Sequence, residues 1–423
     1  MITEATTPEF PHNPSVFTSE VNFDNTEVAF QSKSDLKLRK AYWLFKMVGR
    51  TSFVKLGKWL TYLALKLRIP IAWIIRPTIF QQFCGGESIE RCAKTTKILD
   101  AYNIGTILDY SVEGKETEED FEKTAKEIIK TIGAAEGNPH IPFCVFKVTG
   151  VARFDLLHKI NEDEKLTKDE KEEFAKVHER IERICETANK ARTPVFIDAE
   201  ESWIQDTIDS IAEEMMAKYN DENAIIYTTL QLYRHDKLDY LTRLLDMAQK
   251  KKIRLGVKLV RGAYMEKERK RADDMGYPSP IQPDKESCDR DFDSAMVFCM
   301  EHLDDMSFCA GTHNEESCMY LVQMMKQFNI EGPDPRIFFA QLFGMSDHIS
   351  FNLSNAGYNV AKYVPYGPIR EVIPYLIRRA EENTSVKGQT SRELGLIMKE
   401  LNRRRSMAGN RVNKRSRNKP QSA

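Results

Sequence analysis

The stretch "KDEKEEFAKVHERIERICETANKARTPVFIDA" (168–199) holds the pattern that decides the fold. Its first part is highly charged and spaces its apolar residues along one face, which predicts a long amphipathic helix over 168–191. Its second part, "TPVFIDA" (193–199), is a short run of β-forming residues that ends in polar groups. A long helix followed by a strand that is apolar on both faces is typical of a parallel sheet covered by helices.

The same alternation of strand and helix continues on both sides of this stretch. The other predicted strands are "TILDY" (106–110), "PFCVFKV" (142–148), "NAIIYTT" (223–229), "RLGVKLV" (254–260), "SFCAGT" (307–312), "RIFFAQL" (336–342) and "VAKYVP" (360–365). Eight strands, each followed by a helix, favour an α/β fold of the closed (β/α)₈ TIM-like type over an open doubly wound sheet. No GxGxxG follows any of them, so a dinucleotide-binding Rossmann fold has no support.

The flanking segments suggest four regions. We expect a mostly irregular segment at 1–30, a helical region that packs on the barrel at 31–104, the barrel at 105–405, and a disordered tail at 406–423. Residues 403–419 contain eight Lys or Arg and no acid. Such a tail is usually solvated, and attraction to anionic lipid is the second interpretation.

Composition excludes several classes of function. The formal net charge of −1 argues against a nucleic-acid binder, which needs a basic face. The most apolar segment, "WLTYLALKLRIPIAWIIRP" (59–77), contains Lys66, Arg68, Pro70 and Arg76, so we expect packing on the main domain, or else a shallow membrane contact, but no span. The eight cysteines form no CxxC pair, which favours small buried residues in a reducing compartment and no metal site.

Polar residues follow nearly every predicted strand. In a (β/α)₈ barrel the active site lies at this carboxyl end of the strands, so we expect the site there. The residues are Asp109, Glu113, Lys147, Asp198, Glu200, Gln231, Lys258, Arg261, His313, Asn314 and Tyr363.

The last helix of the barrel carries two stripes. In "YGPIREVIPYLIRRAEEN" (366–383), we expect a helix from Pro368, kinked at Pro374, whose apolar stripe faces the barrel. Its opposite stripe holds Tyr375, Arg378, Arg379 and Glu382. These residues form either a solvated face with a surface ion pair or a pocket in which guanidinium groups bind a small carboxylate. The pocket is favoured because the helix directly follows the eighth strand.

At this point the chain resembles the catalytic domain of proline dehydrogenase, a flavoprotein with a distorted (β/α)₈ barrel. The matching segments run in family order across most of the chain after residue 100. They are "FIDAEES" (196–202), "TTLQLY" (228–233), "VKLVRGAYMEKER" (257–269), "GTHNEE" (311–316), "QLFGMSD" (341–347) and "YVPYGPIREVIPYLIRRAEEN" (363–383).

The resemblance implies hydride transfer from the ring of L-proline to N5 of FAD, giving Δ1-pyrroline-5-carboxylate, the first step of proline degradation to glutamate. It implies a membrane quinone as electron acceptor and peripheral membrane association. The substrate residues that it implies are Lys147, Tyr264, Leu342, Tyr363, Tyr375, Arg378, Arg379 and the gating acid Glu113. The FAD residues that it implies are Asp198, Gln231, Lys258, Arg261, Gly262, Ala263, Tyr264, His313, Asn314 and Glu382.

Two positions refine this expectation. Many bacterial bifunctional members read RLVKGAY where this chain reads "KLVRGAY", so Lys258 and Arg261 are exchanged relative to them. Relatives that oxidise hydroxyproline carry a serine where this chain has Tyr363, so L-proline is the expected substrate. The acidic N-terminus lacks the pattern of a mitochondrial presequence, which favours a bacterial cytoplasm, with the mitochondrion as the alternative.

Three other functions compete with this interpretation. A metal-dependent hydrolase would use Asp198, Glu200 and His313, although no HxH pair stands on an early strand. A Schiff-base aldolase would use Lys147 or Lys258, which leaves the paired arginines unexplained. A non-catalytic binding protein on a barrel scaffold is the third alternative.

Overall fold

The computed structural model describes residues 20–67, 69–112, 114, 116–330, 332–385 and 389–417. Eight parallel strands close a barrel in chain order. They are β1 (Ile104–Tyr110), β2 (Phe143–Lys147), β3 (Val195–Asp198), β4 (Ile226–Gln231), β5 (Leu255–Val260), β6 (Met306–Gly311), β7 (Ile337–Leu342) and β8 (Val360–Tyr366). The predicted (β/α)₈ fold is confirmed, and the largest shift from prediction is at β4, which begins three residues later than expected.

Helices precede and separate the strands. Before β1 lie α1 (Thr26–Ala29), α2 (Asp35–Val48), α3 (Thr51–Lys66), α4 (Ala72–Ile75), α5 (Gln81–Phe83) and α6 (Ile89–Asp100). Between the strands lie α7 (Glu118–Ala135), α8 (Phe154–Asn161), α9 (Lys168–Lys190), α10 (Ser202–Tyr219), α11 (Lys237–Lys251), α12 (Met265–Met275), α13 (Lys285–Glu301), α14 (Glu315–Gln327) and α15 (Asp347–Asn355). After β8 come α16 (Ile373–Ser385) and α17 (Gln389–Arg417).

The inside of the barrel is filled by side chains, many of them aromatic. Phe143 on β2 stacks on Phe196 of β3 with ring centroids 4.4 Å apart. Phe196 in turn lies nearly parallel to Tyr363 of β8 at 6.3 Å. This column closes the barrel interior and ends in a phenol near the carboxyl ends of the strands.

The ring of helices around the barrel is irregular next to β8. The helix that follows β8 does not pack in the outer ring; α6, which precedes β1, packs on β1 instead, and α15 packs on both β8 and β1. The space that a regular barrel would give to its last helix is therefore filled by an earlier part of the chain, which leaves α16 available for another position.

The helix α16 corrects two details of the expectation. The chain makes a turn at 368–372, and α16 begins only at Ile373, so Pro374 stands in its first turn and does not kink a longer helix. Proline is well suited to a first turn, where its missing N–H would be unpaired anyway. The apolar stripe, including Val372 and Leu376, belongs to a core cluster with Phe45 and Phe83 of the N-terminal region, which is separate from the main core cluster of the barrel.

The C-terminal segment also differs from the expectation. Helix α17 continues to Arg417, although a disordered tail was expected from residue 406. Arg, Lys, Met and Ala have high helix propensity, and the next proline is Pro420, which explains why the helix extends so far. Residues 418–423 lie outside the described part of the chain.

Candidate active site

Most of the predicted site residues lie at one end of the barrel. Lys147, Asp198, Gln231 and Leu342 are the last residues of β2, β3, β4 and β7. Arg261 follows β5 directly, and His313 and Asn314 follow β6. Because all eight strands are parallel and closed, these residues surround a single opening, as the sequence predicted.

A buried lysine lies at the centre of this opening. The Lys258 ammonium donates hydrogen bonds to the Asp198 carboxylate and to the Tyr363 hydroxyl. It also lies 5.1 Å from the Phe196 ring centroid and 4.6 Å from that of Tyr363. Lys258 is only 4% exposed, so these partners replace the water that the charge loses on burial.

The phenol of Tyr363 stays protonated in this setting. Burial raises its pKa well above the usual value, and the nearby charge of Asp198 adds to the shift. Tyr363 can therefore both accept a hydrogen bond from Lys258 and donate one to Asp198, whose oxygen lies 3.4 Å away. The ring is held in one orientation by these bonds and by its stacking on Phe196.

Helix α16 brings the paired arginines to the same opening. Arg379 is 8% exposed, and its guanidinium lies 5.1 Å from the ring centroid of the buried Tyr375. Burial raises the pKa of Tyr264, which follows β5, while the cations Lys147 and Arg378 oppose that rise. Tyr375 packs in one apolar cluster with Leu342, the last residue of β7, so this face of α16 lies against the protein and is not fully solvated.

A neutral histidine lies beside this group. His313 shares a hydrogen bond of 2.9 Å with the Ser346 hydroxyl through Nδ1, and its Nε2 accepts one from the Leu342 N–H. Nδ1 therefore carries the proton. Burial, and after it the charges of Lys362 and Arg379, lower the pKa of His313 from 6.5 to about 3. The ring is neutral at physiological pH and can offer no positive charge to a ligand.

The turn after β5 exposes backbone to the opening. Gly262 has φ +132°, and a Cβ there would lie 2.5 Å from the Tyr233 ring, so only glycine fits. Gly262 and the following Ala263 are exposed. Close to them, the buried Gln231 amide donates a 2.7 Å hydrogen bond to the Glu200 carbonyl oxygen.

Arg261 is held by several groups of the protein. It donates to Asp289, to the Thr312 hydroxyl at 2.7 Å and to the Ser317 hydroxyl at 2.9 Å. Its guanidinium also lies 4.4 Å from the centroid of the Phe292 ring. Arg261 therefore joins α13 and α14 to the end of β6, a structural role that its position after the strand did not predict.

Two predicted residues cannot be placed in this geometry. Glu113, the predicted gating acid, lies outside the described residues, as does the side chain of Glu382.

Asn314 caps the N-terminus of α14, since its side chain accepts hydrogen bonds from the N–H groups of Glu316 and Ser317.

Two buried groups near the site have no substrate or FAD role in the family resemblance. Glu200 accepts hydrogen bonds from the Thr149 N–H and hydroxyl, and burial raises its pKa from 4.5 to about 7. Lys362 on β8 is fully buried and forms a 2.9 Å ion pair with Asp347. A lysine inside the apolar run "VAKYVP" was a visible signal, because a buried lysine needs a partner.

Other kinds of site find no support in the described ranges. Within them, no group of three or more His, Cys, Asp or Glu side chains is arranged to hold a metal ion. The hydrolase alternative therefore lacks a ligand set in this part of the chain. Likewise, no helix there has both the length and the apolar character that crossing a membrane requires.

The closed barrel and the cations and tyrosines at its opening define the chain as a (β/α)₈ barrel with a site at the carboxyl ends of its strands. A family model described as proline dehydrogenase matches residues 92–392. "Proline dehydrogenase 1, mitochondrial" from Dictyostelium discoideum is 32% identical over 80% of this chain and 67% of that protein. "Proline dehydrogenase 2, mitochondrial" from Arabidopsis thaliana is 32% identical over 83% of this chain and 84% of that protein.

A solved structure has the same fold. The barrel superposes on proline utilization A from Bdellovibrio bacteriovorus, with a TM-score of 0.67 and 18% identity. That alignment covers 88% of this chain but only 40% of the longer one. The chain belongs to the proline dehydrogenase family.

Proposed function

We propose that this chain oxidises L-proline to Δ1-pyrroline-5-carboxylate, with FAD as cofactor and a membrane quinone as the final electron acceptor. The observation that carries the proposal is the position of α16: its buried Arg379 and Tyr375 lie side by side, and Tyr375 packs in one apolar cluster with Leu342, the last residue of β7. Cations next to aromatic rings suit a small amino acid with a carboxylate and an apolar ring. The reaction removes a hydride from the ring carbon beside nitrogen and a proton from that nitrogen.

The side chains divide into two sets by their chemistry. Arg378, Arg379 and Lys147 would bind the substrate carboxylate, and Glu113 would pair with Arg378 to close the pocket. Packing around the proline ring, which sets its distance from the cofactor, would be the role of Tyr264, Tyr375, Tyr363 and Leu342. Holding the donor carbon in one position is the main contribution that the protein makes to such a reaction, because no strong acid or base is needed.

The residues at the opening fit a flavin dinucleotide. The exposed backbone of Gly262 and Ala263 allows close approach of a large planar group, and the buried Lys258 has one N–H beyond those bonded to Asp198 and Tyr363. FAD bound there would supply the two-electron acceptor that the protein side chains lack. The other residues proposed to hold it are Gln231, Arg261, Tyr264, His313, Asn314 and Glu382.

Tyr363 supports proline over hydroxyproline as substrate. Its ring is held between Lys258 and Phe196, so it has little freedom to move aside for an extra hydroxyl group. For location, the names of the two curated relatives favour the mitochondrial alternative over the bacterial cytoplasm, and we propose peripheral association with the membrane that holds the quinone.

Anaerobic titration of the purified protein tests the proposal. We expect a yellow protein whose flavin absorbance bleaches on addition of L-proline, with a lower kcat/KM for hydroxyproline in steady-state assays. A colourless protein that takes up no FAD, or a flavoprotein that proline does not reduce, would contradict the proposed function. Faster turnover of hydroxyproline would contradict the substrate assignment alone.

A further inference from the structure

Helices α2, α3 and α4 carry a large apolar surface that no described part of the chain covers. Trp43, Trp59 and Trp73 are 60%, 60% and 72% exposed, although tryptophan is usually well buried in soluble proteins. Exposed leucine, isoleucine, phenylalanine and methionine side chains surround them. The apolar surface is formed by these tryptophans with Leu36, Met47, Phe53, Leu56, Leu60, Leu63, Leu67, Ile69 and Ile74.

Helix α3 is turned with its apolar stripe outward. Phe53, Leu56, Leu60 and Leu63 recur at intervals of three and four residues, which places them on one helix face, and all four are exposed. The half-buried residues Val54, Lys58 and Thr61 lie on the opposite face, towards the protein. A helix of a soluble domain normally has the reverse orientation, with the apolar face buried.

The contacts of α3 explain how this orientation is held. The Lys58 ammonium forms a 2.7 Å ion pair with Glu381 on α16, and α3 packs on both α2 and α16. The inner face of α3 therefore contacts the helix that also carries Arg378 and Arg379. The outer face is presented to the surroundings beside the proposed substrate site.

The stretch of chain that carries the apolar surface contains only basic charged residues, although two of them are paired with acids from outside it, Lys58 with Glu381 and Arg76 with Glu87. Residues 36–86 contain ten Lys or Arg and no Asp or Glu. The cations are Lys37, Arg39, Lys40, Lys46, Arg50, Lys55, Lys58, Lys66, Arg68 and Arg76. One of them, Lys46, extends over the Trp43 ring at 4.9 Å, so cation and aromatic groups are interleaved on this surface.

We propose that the apolar surface of α2–α4 binds an anionic phospholipid bilayer. Its tryptophans and leucines lie among the upper acyl chains, and the surrounding lysines and arginines bind lipid phosphates. Long basic side chains can reach the headgroups while their methylene groups stay in the apolar layer. The helices lie in the plane of the membrane surface and do not cross it.

The charge of the surface also favours an anionic bilayer over a second copy of the chain as the binding partner. Two copies meeting through this surface would bring two predominantly basic surfaces together, and like charges in contact are repelled. An anionic bilayer has the complementary charge over the whole area. The biological role of this membrane contact rests on the proposed function. Because α3 contacts α16, membrane binding would bring the barrel opening next to the membrane quinone.

Intrinsic fluorescence gives a direct test. The chain has four tryptophans, and three of them lie on the apolar surface, whereas the fourth, Trp203, is buried. Vesicles of phosphatidylcholine with phosphatidylglycerol should shift the emission to the blue, and brominated acyl chains should quench it. Pure phosphatidylcholine vesicles should bind more weakly, and salt should weaken binding to the anionic vesicles.

Substitution identifies the surface. The triple variant Trp43→Ser, Trp59→Ser, Trp73→Ser should lose about tenfold or more of its affinity for the anionic vesicles in co-sedimentation. A matched control, Met275→Ser, Tyr320→Ser, Phe328→Ser, removes exposed apolar side chains elsewhere and should bind like the wild type. Truncation after residue 405 should also retain most of the binding, because the apolar contacts remain.

The outcomes distinguish this proposal from the proposed function. The triple variant should keep wild-type reduction of a soluble dye by proline and lose reduction of a quinone embedded in vesicles. Unchanged vesicle binding by the triple variant would overturn the proposal. A wild-type protein that is a dimer in the absence of lipid, together with a triple variant that is a monomer, would also overturn it. A wild-type protein that binds vesicles but shows no activity with proline and dye would contradict only the proposed function.

Discussion

At the scale of single residues, Lys258 shows how one buried charge organises the barrel opening. Its ammonium is bonded to Asp198 and Tyr363 and lies near two aromatic rings. Removing any one partner would leave a buried charge partly unsatisfied, which is costly in a medium of low polarity. The orientation of Tyr363, and with it the shape of the proposed substrate pocket, therefore depends on a residue that need not contact the substrate.

The paired arginines provide the first prediction at this scale. Changing Arg378 or Arg379 to Met should raise the KM for proline about 10- to 100-fold, because a charge-assisted hydrogen bond to the carboxylate is lost. The flavin absorbance of the purified variants should stay that of the wild type. Arg370→Met, at an exposed arginine of the preceding turn, should leave KM unchanged. Equal KM values for all three variants would contradict a carboxylate site on α16.

Glu200 provides a second prediction, on the pH dependence of stability. Burial raises its pKa from 4.5 to about 7, so the folded protein holds a proton that the unfolded chain releases. The free energy of unfolding should therefore fall as the pH rises from 4.5 to about 7 and level off above that range, with a contribution on the order of 3 kcal/mol.

The variant Glu200→Gln isolates this contribution. An amide can still accept from Thr149, but it does not titrate, so urea unfolding curves should show a smaller fall over the same pH range. Glu172→Gln, at an exposed position of α9, should retain the wild-type pH dependence. If the curve for Glu200→Gln runs parallel to that of the wild type, Glu200 is already ionised in the folded protein.

At the scale of elements, a buried group of charges joins four parts of the chain. Asp347 at the start of α15 forms ion pairs of 2.7 Å with Lys33, before α2, and of 2.9 Å with Lys362 on β8. Glu393 on α17 accepts a hydrogen bond from the Ser346 N–H. Burial alone would raise the pKa of Asp347, but the two lysines outweigh it and hold that pKa well below its usual range. The cluster ties the N-terminal region to the barrel next to His313.

Breaking this cluster should be costly. Asp347→Asn removes the carboxylate between the buried Lys362 and the half-buried Lys33 and should lower the free energy of unfolding by about 3 kcal/mol, measured by denaturant titration. The control Asp274→Asn breaks an exposed ion pair with Lys270 on α12 and should change stability by less than about 1 kcal/mol. A similar loss of unfolding free energy in both variants would mean that the buried cluster contributes no more to stability than the exposed ion pair.

At the scale of the whole molecule, the described N-terminal region from residue 26 and helix α17 pack together beside α16. The Thr26 hydroxyl donates a 3.0 Å hydrogen bond to the buried Glu400 of α17, and Arg404 donates to the carbonyl oxygens of Phe30 and Lys33. Helix α17 also packs on α2. This terminal cluster supports α16 beside the barrel opening from outside the barrel.

Local sequence pattern was sufficient to predict the barrel. A strand buried on both faces, such as Val195–Asp198, must be apolar whichever strands lie beside it. In a parallel sheet, a helix must also connect each strand to the next one along the chain. The position of the site followed from the same pattern, because parallel closed strands have their carboxyl ends at one opening. These features depend on residues close in the chain, so the sequence by itself determined the (β/α)₈ fold and the end at which the predicted residues meet.

Only the tertiary structure decided which surfaces meet. An apolar stripe has the same period whether it faces a core or the outside, so the pattern of α3 could not reveal that Phe53 and Leu60 point away from the protein. The same holds for the stripe of α16, which packs on the N-terminal helices because α6 occupies the place beside β1. The hydrogen-bond partners of Lys258 and Arg261 lie on or next to other strands and helices. Such contacts depend on distances in space, which the spacing of residues along the chain does not encode.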